Sequence, residues 1–143
     1  MLAGELALSA ISQGVIITDP EQNIVSANEA FSTISGYSHS EILGRNCRFL
    51  QGPETDPIAQ AAIATALENG TEYCGEILNY RKNGTRFWNE LTIAPIRDAS
   101  GKLTHFVGIT RDITERKQSE ARKDNEHRIL KAVAKGKPSL EVL

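Results

Sequence analysis

The sequence predicts an α+β domain, with five strand-like runs and a set of mostly short helices, and three observations carry that expectation. The first is a stretch with both of its helix boundaries marked. Asp56-Pro57 supplies an N-cap and a proline at the first helical position, and Asn69-Gly70 supplies the stop. The second is a pair of β-rich runs on either side of Asn83-Gly84, a hairpin signal. The third is size: 143 residues, 40% hydrophobic and 24% charged, suit one ordinary domain with a core and a short extension.

Taken in order, residues 1–12 place Leu2, Leu6, Leu8 and Ile11 at spacings of a short amphipathic cap helix, broken near Gly14. Val15 to Asp19 reads as a strand and Asp19-Pro20-Glu21-Gln22-Asn23 as its turn, with Ile24 to Ala27 the next strand. Asn28 caps a helix through about Ile34 that ends near Gly36, and Ser40 to Leu43 makes one more turn before Gly44. The helix from Asp56-Pro57 leads to a strand over Thr71–Arg81. Pro95 and then Asp98-Ala99-Ser100-Gly101 are expected to end its hairpin partner. Leu103 to Asp112 is the last strand, with Phe106, Gly108 and Thr110 on one face and His105, Val107, Ile109 and Arg111 on the other. From Thr114 the composition turns to dense mixed charge, predicting a solvated linker helix over 115–136 with pairs such as Glu120 with Lys123 and Asp124 with Arg128. It lacks a strict apolar heptad and is a weak coiled coil at most. Residues 137–143 turn apolar again and read as the opening of a further domain.

Two stretches carry chemistry. Gly44-Arg45-Asn46-Cys47-Arg48-Phe49-Leu50-Gln51 gathers a thiol, a guanidinium and a carboxamide within a few residues. If 46–51 are helical, Cys47 and Gln51 share a face with Arg48 flanking it. The competing reading is an amphipathic turn with Phe49 and Leu50 in the core, Arg48 solvated and Cys47 a small buried hydrophobe. In the hairpin, register decides. A two-residue Asn83-Gly84 loop sets Asn79 opposite Trp88 and puts Asn89 on the other face. A three-residue loop, Lys82 to Gly84 with Gly84 left-handed, pairs Asn79 with Phe87 and Ile77 with Asn89. Both asparagines then share a face with Ile77, Phe87, Leu91 and Ile93. Two carboxamides on an apolar face are costly unless paired, either with backbone and each other or with a planar heterocycle whose edge alternates donors and acceptors.

Gly44 to Asp56, followed by Leu78-Asn79-Tyr80-Arg81-Lys82-Asn83-Gly84, Phe87-Trp88-Asn89 and Phe106-Val107-Gly108, resembles the flavin-binding signature of bacterial-type LOV (light-oxygen-voltage) photoreceptors, a branch of the PAS sensor domains. The resemblance spans residues 13–114. It implies a PAS fold: a five-stranded antiparallel sheet with short helices over its flavin-binding face, plus flanking N- and C-terminal helices. It further implies that Cys47 adds to the isoalloxazine C4a after blue-light absorption, that Asn79 and Asn89 hold the pyrimidine edge, that Gln51 bonds the flavin and that Arg48 pairs with the phosphate of FMN. Asn46, Ile16, Thr18, Leu91, Ile93, Phe106, Gly108 and Thr110 are the further residues expected around the ring. Two positions depart from the family pattern. Thr110 stands where most members carry a glutamine that senses flavin N5, and a hydroxyl cannot exchange a carbonyl for an amino group. No Arg or Lys occurs from Pro57 to Asn69, where many members add a second phosphate-facing arginine; the matching position is Ala64, so riboflavin is expected as a minor occupant. The tail at 137–143 is distantly similar to the lead-in of a GAF module.

Other classes are disfavoured. A net charge of −2 and a pI near 5.9 give no footprint for nucleic acid or an acidic membrane surface. There is no apolar run of about 18 residues and no basic leader with a cleavage site, so the chain reads as cytoplasmic. Cys47 and Cys74 match no zinc spacing, no metal is expected, and Cys74 reads as structural filler. His105 reads as solvent-facing or satisfied. An enzyme using Cys47 as nucleophile lacks a base, since the nearest histidine, His39, sits in a turn. Leu78, Tyr80 and Trp88, with Val107 and Ile109, form an outward apolar patch expected to be covered by a flanking helix or, preferably, by a second copy in a homodimer. The function expected is a sensor module that signals through the sheet and C-terminal helix to an effector in a longer chain, such as a histidine kinase or cyclic-dinucleotide enzyme. The alternative is a PAS domain sensing flavin redox state or another small ligand without adduct formation.

Overall fold

Alternation at every second residue builds the sheet. In β1 (Gln13–Thr18) Gly14, Ile16 and Thr18 are buried while Gln13, Val15 and Ile17 are half-exposed, and β5 (Leu103–Asp112) repeats the pattern with Phe106, Gly108 and Thr110 inward. The computed structural model describes residues 13–134. Its elements, in order, are β1, β2 (Ile24–Ala27), α1 (Glu29–Ser35), α2 (His39–Ile42), a 3-10 turn (Cys47–Leu50), α3 (Pro57–Asn69), β3 (Tyr73–Tyr80), β4 (Arg86–Arg97), β5 and α4 (Thr114–Ala134). The five strands form one antiparallel sheet in the order β2-β1-β5-β4-β3. The cap helix expected over 1–12 and the tail beyond Ala134, including the further domain expected at 137–143, lie outside the described residues.

Capping explains the short helices. Asn28 Oδ1 accepts from both Phe31 N (3.0 Å) and Val15 N (2.9 Å) while its Nδ2 donates to Gln13 O, so one side chain starts α1 and stitches it to β1. α2 begins earlier than the sequence suggested. Ser38 and Glu41 form a reciprocal capping box, which moves the start to His39. Asp56 caps α3 through Ile58 N, with Pro57 at its first turn and left-handed Gly70 at its end, as the sequence predicts.

The hairpin takes the three-residue loop. Arg81 N donates to Thr85 O at 2.8 Å, Gly84 N donates to Arg81 O at 2.9 Å, and Gly84 has φ 86°, so Ile77 pairs with Asn89 and Asn79 with Phe87. β4 does not stop at Pro95 but runs to Arg97. β3 pairing ends with Tyr73 opposite Ile93, so Pro95 lies where β5 is its neighbour and β3 no longer flanks it, and its missing N–H breaks no bond on that side.

The core of residues up to Asp112 comes as two apolar clusters. One gathers Ile16, Ile24, Phe31, Ile34, Ile42, Leu50 and Phe87; the other gathers Ile63, Ile77, Ile93 and Phe106. The second unit, which begins at Ile113, contains α4, a highly charged helix laced by one-turn ion pairs: Arg128 with Asp124 at 3.0 Å and Arg116 with Glu120 at 3.6 Å. The Asp124 pair is the one predicted, whereas the Glu120 carboxylate meets Arg116 one turn before it.

Candidate functional site

A cavity of about 500 Å³ separates the two apolar clusters and is lined by members of both, Ile16, Phe31 and Leu50 from one and Ile63, Ile77, Ile93 and Phe106 from the other. That is the size of a cofactor or drug-like ligand site. On the sheet side its wall carries Thr18, Leu91 and Thr110 with Gly108 between, where an added Cβ would sit 3.0 Å from Ile16 Cγ1. Thr18 and Thr110 are 3% and 2% exposed.

Cys47 reaches this wall from a segment held on both sides. Gly44 N donates to Ile24 O and Ile24 N to Arg45 O, and Cys47 N donates to Gln22 O at 2.9 Å. Gln22 itself holds a φ of 68°, an uncommon conformation for a residue with a side chain, in a turn that Asp19 braces by accepting from Glu21 N and Asn23 N. Behind the turn, Phe49 packs at 5.0 Å on Tyr37, and the Arg45 guanidinium lies over both rings. The segment is a 3-10 turn rather than an α-helical one, with Gln51 already extended at φ −75°, ψ 153°. Cys47, Arg48 and Gln51 nevertheless all line the cavity. Asn46 does not: its Oδ1 accepts from Arg48 N at 3.1 Å, so it caps the turn instead. Burial pushes the Cys47 thiol above its ordinary pKa, only partly countered by the positive charge of Arg48, and the sulfur keeps its proton at neutral pH.

The hairpin brings two neutral carboxamides to the same cavity. Asn79 and Asn89 are 4% and 2% exposed, and Asn89 Nδ2 donates to Asn79 Oδ1 at 2.9 Å while Asn79 Nδ2 donates to Leu78 O at 3.2 Å. Asn89 Oδ1 is buried and has no hydrogen-bond partner. A buried acceptor left unmatched costs about 1–3 kcal/mol, so the cavity calls for a donor there.

Among the further lining residues that escaped the sequence reading are Gln22, Phe31, Gln60 and Glu68. Gln60, Ala64 and Glu68 recur every fourth residue on one face of α3, a helical spacing that is the only signal available for them. Gln60 Nε2 donates to Gln51 Oε1 at 3.0 Å, which ties α3 to the end of the 3-10 turn. The loop between them is strapped to β3, with Thr55 Oγ1 donating to Leu78 O and Glu54 N to Tyr80 Oη. Among the described residues no cluster of three or more His, Cys, Asp or Glu is placed to hold a metal, and no helix is long and apolar enough to cross a membrane.

Comparison with known proteins identifies the family to which the chain is similar. A family model described as PAS domain matches residues 12–115. Phototropin-2 of Oryza sativa subsp. japonica is 46% identical over 112 residues, covering 76% of this chain but 12% of its own length. A blue-light-activated histidine kinase of Rhizobium johnstonii is 44% identical over 131 residues, covering 90% of this chain and 38% of the kinase. Among solved structures, the light-state LOV domain of the blue-light photoreceptor Aureochrome1 is 41% identical with a TM-score of 0.71, covering 84% of this chain and 96% of that one. The LOV domain of the Erythrobacter litoralis EL346 blue-light activated histidine kinase is 42% identical with a TM-score of 0.67, covering 71% of this chain and 95% of that one.

Proposed function

Because the chain belongs to the PAS domain family, as a LOV domain of bacterial type, we propose that it is a blue-light photoreceptor module that binds FMN and reversibly bonds it through Cys47. The observation that carries this reading is the unmatched Asn89 Oδ1 on the wall of a cavity that also holds Cys47 and Arg48. A flavin fits the donor set. Its imide edge offers the missing donor to Asn89 and an acceptor and donor pattern for Asn79, while Ile16, Ile77, Leu91, Ile93 and Phe106 supply apolar walls for the rings. Arg48 would pair with the phosphate and Gln51 would bond the flavin. When bound, the flavin supplies blue-light absorption and an electrophilic ring carbon, C4a. Cys47 lines the cavity with its proton in place and would be the thiol that bonds such a carbon, its S–H proton passing to the ring so that no further reagent would be needed.

Residues 13–114 form the sensory domain in this reading, with 1–12 as a cap, 115–136 as the linker helix and 137–143 leading toward an effector. Thr110 lies on the cavity wall two residues before Asp112, the last residue of β5, and the signal leaves along that strand. The module turns over no substrate itself, acts in the cytoplasm and pairs with a second copy through the outer sheet face and flanking helices. An absorption spectrum before and after blue illumination tests it. The purified chain is expected to be yellow and to bleach reversibly, and a Cys47→Ala variant to bind flavin without bleaching. A colourless wild type overturns the proposal, and a yellow one that does not bleach supports flavin sensing without a covalent step.

A further inference from the structure

The polar lining outside the asparagine pair has a composition of its own. Besides Thr18, Thr110 and Cys47, it holds three carboxamides, Gln22, Gln51 and Gln60, one cation, Arg48, and one carboxylate, Glu68. Arg48 and Glu68 are both exposed, and their formal charges cancel. Ala64, one turn before Glu68, brings no charge. Gln51 and Gln60 are already joined at 3.0 Å with Gln51 Oε1 as acceptor, which leaves Gln51 Nε2 as a donor to the cavity. A phosphate monoester carries about −1.5 to −2 charges and binds where cationic donors outnumber acidic groups. Carboxamides, each with a donor and an acceptor, suit hydroxyls.

Resting on the flavin reading above, we propose that this site recognises the cofactor's tail as a neutral polyol. Glu68 and Gln60 are the specificity-determining residues that make riboflavin and FMN equal ligands. Glu68 offsets for a phosphate what Arg48 gains, because both act through the same solvent-screened mouth. Gln60 holds Gln51 in the orientation that addresses a hydroxyl. Occupancy then follows flavin supply rather than affinity.

The test is a titration of the flavin-free chain with riboflavin and with FMN separately, followed by quenching of flavin fluorescence at low and high salt. The two dissociation constants are expected to agree within about fivefold, with little salt dependence for either. Glu68→Gln is expected to tighten FMN by about threefold, and Ala64→Arg, which adds a guanidinium and neutralises Glu68 one turn on, by about tenfold or more. Riboflavin affinity should not change in either variant. A wild-type preference for FMN above about fivefold overturns the inference, as do variants that leave the FMN-to-riboflavin ratio where it was. Binding of neither flavin overturns the functional reading itself, and this inference with it.

Discussion

Asn89 places one end of its carboxamide on Asn79 and leaves the other bare inside the fold. A ligand that brings a donor to this acceptor gains its hydrogen bond, so Asn89→Ala is expected to weaken flavin binding by about tenfold, consistent with about 1–2 kcal/mol for a buried hydrogen bond, read by titration. Cys47 makes a second residue-scale prediction. Its folded-state pKa is raised by burial, so the thiol, not the thiolate, persists as pH climbs through the range where a free thiol ionises. The amplitude of blue-light bleaching should be flat from about pH 6 to about pH 8.5, the latter being where an unperturbed cysteine would be half ionised. The asparagine pair was legible in the sequence because burying two amides on an apolar strand face demands an explanation. Gln60 and Glu68 were not, since an exposed polar side chain on a helix looks the same whether it faces solvent or a cavity mouth. Asn46 has a structural role that the sequence reading did not give it: within a motif rich in functional groups, its Oδ1 caps its own turn.

At the scale of elements, the hairpin shows how much one glycine decides. Asn83-Gly84 is compatible with two registers, and only the left-handed Gly84 of the three-residue loop brings Asn79 and Asn89 to one face. Gly84→Ala, with no neighbour to clash against but a φ of 86° to maintain, is expected to cost about 1 kcal/mol of stability, measured as a lower urea midpoint. Local rules located most of the strands and the long helix. They failed where tertiary partners decide. Pro95 ends a strand only if a neighbour requires its N–H, and β3 has already departed there. The Cys47 segment is a 3-10 turn because Gln22 and Ile24, which are distant in sequence from its far end, set its path. The Ser38 capping box could have been read directly, from Glu41 three residues on.

At the scale of the molecule, the apolar core of the described residues is in two parts with a cavity lined by both, so a flat aromatic occupant would complete the interior rather than merely sit in it. On the other side of the sheet Leu78, Tyr80, Trp88, Val107 and Ile109 are half-exposed and none of them lines the cavity. A homodimer using that face is expected to appear as a concentration-dependent mass in analytical ultracentrifugation, and a monomer at every concentration would sink it. The strand order has one more consequence. β1 and β5 are neighbours at the middle of the sheet, with Gln13 directly opposite Arg111, so the path into the sheet and the path out of it run side by side, about 5 Å apart. A domain threaded in this way behaves like a bead whose string enters and leaves through one hole. Residues 13–111 alone, inserted in a surface loop of an unrelated host, are expected to leave the host's two flanks close together.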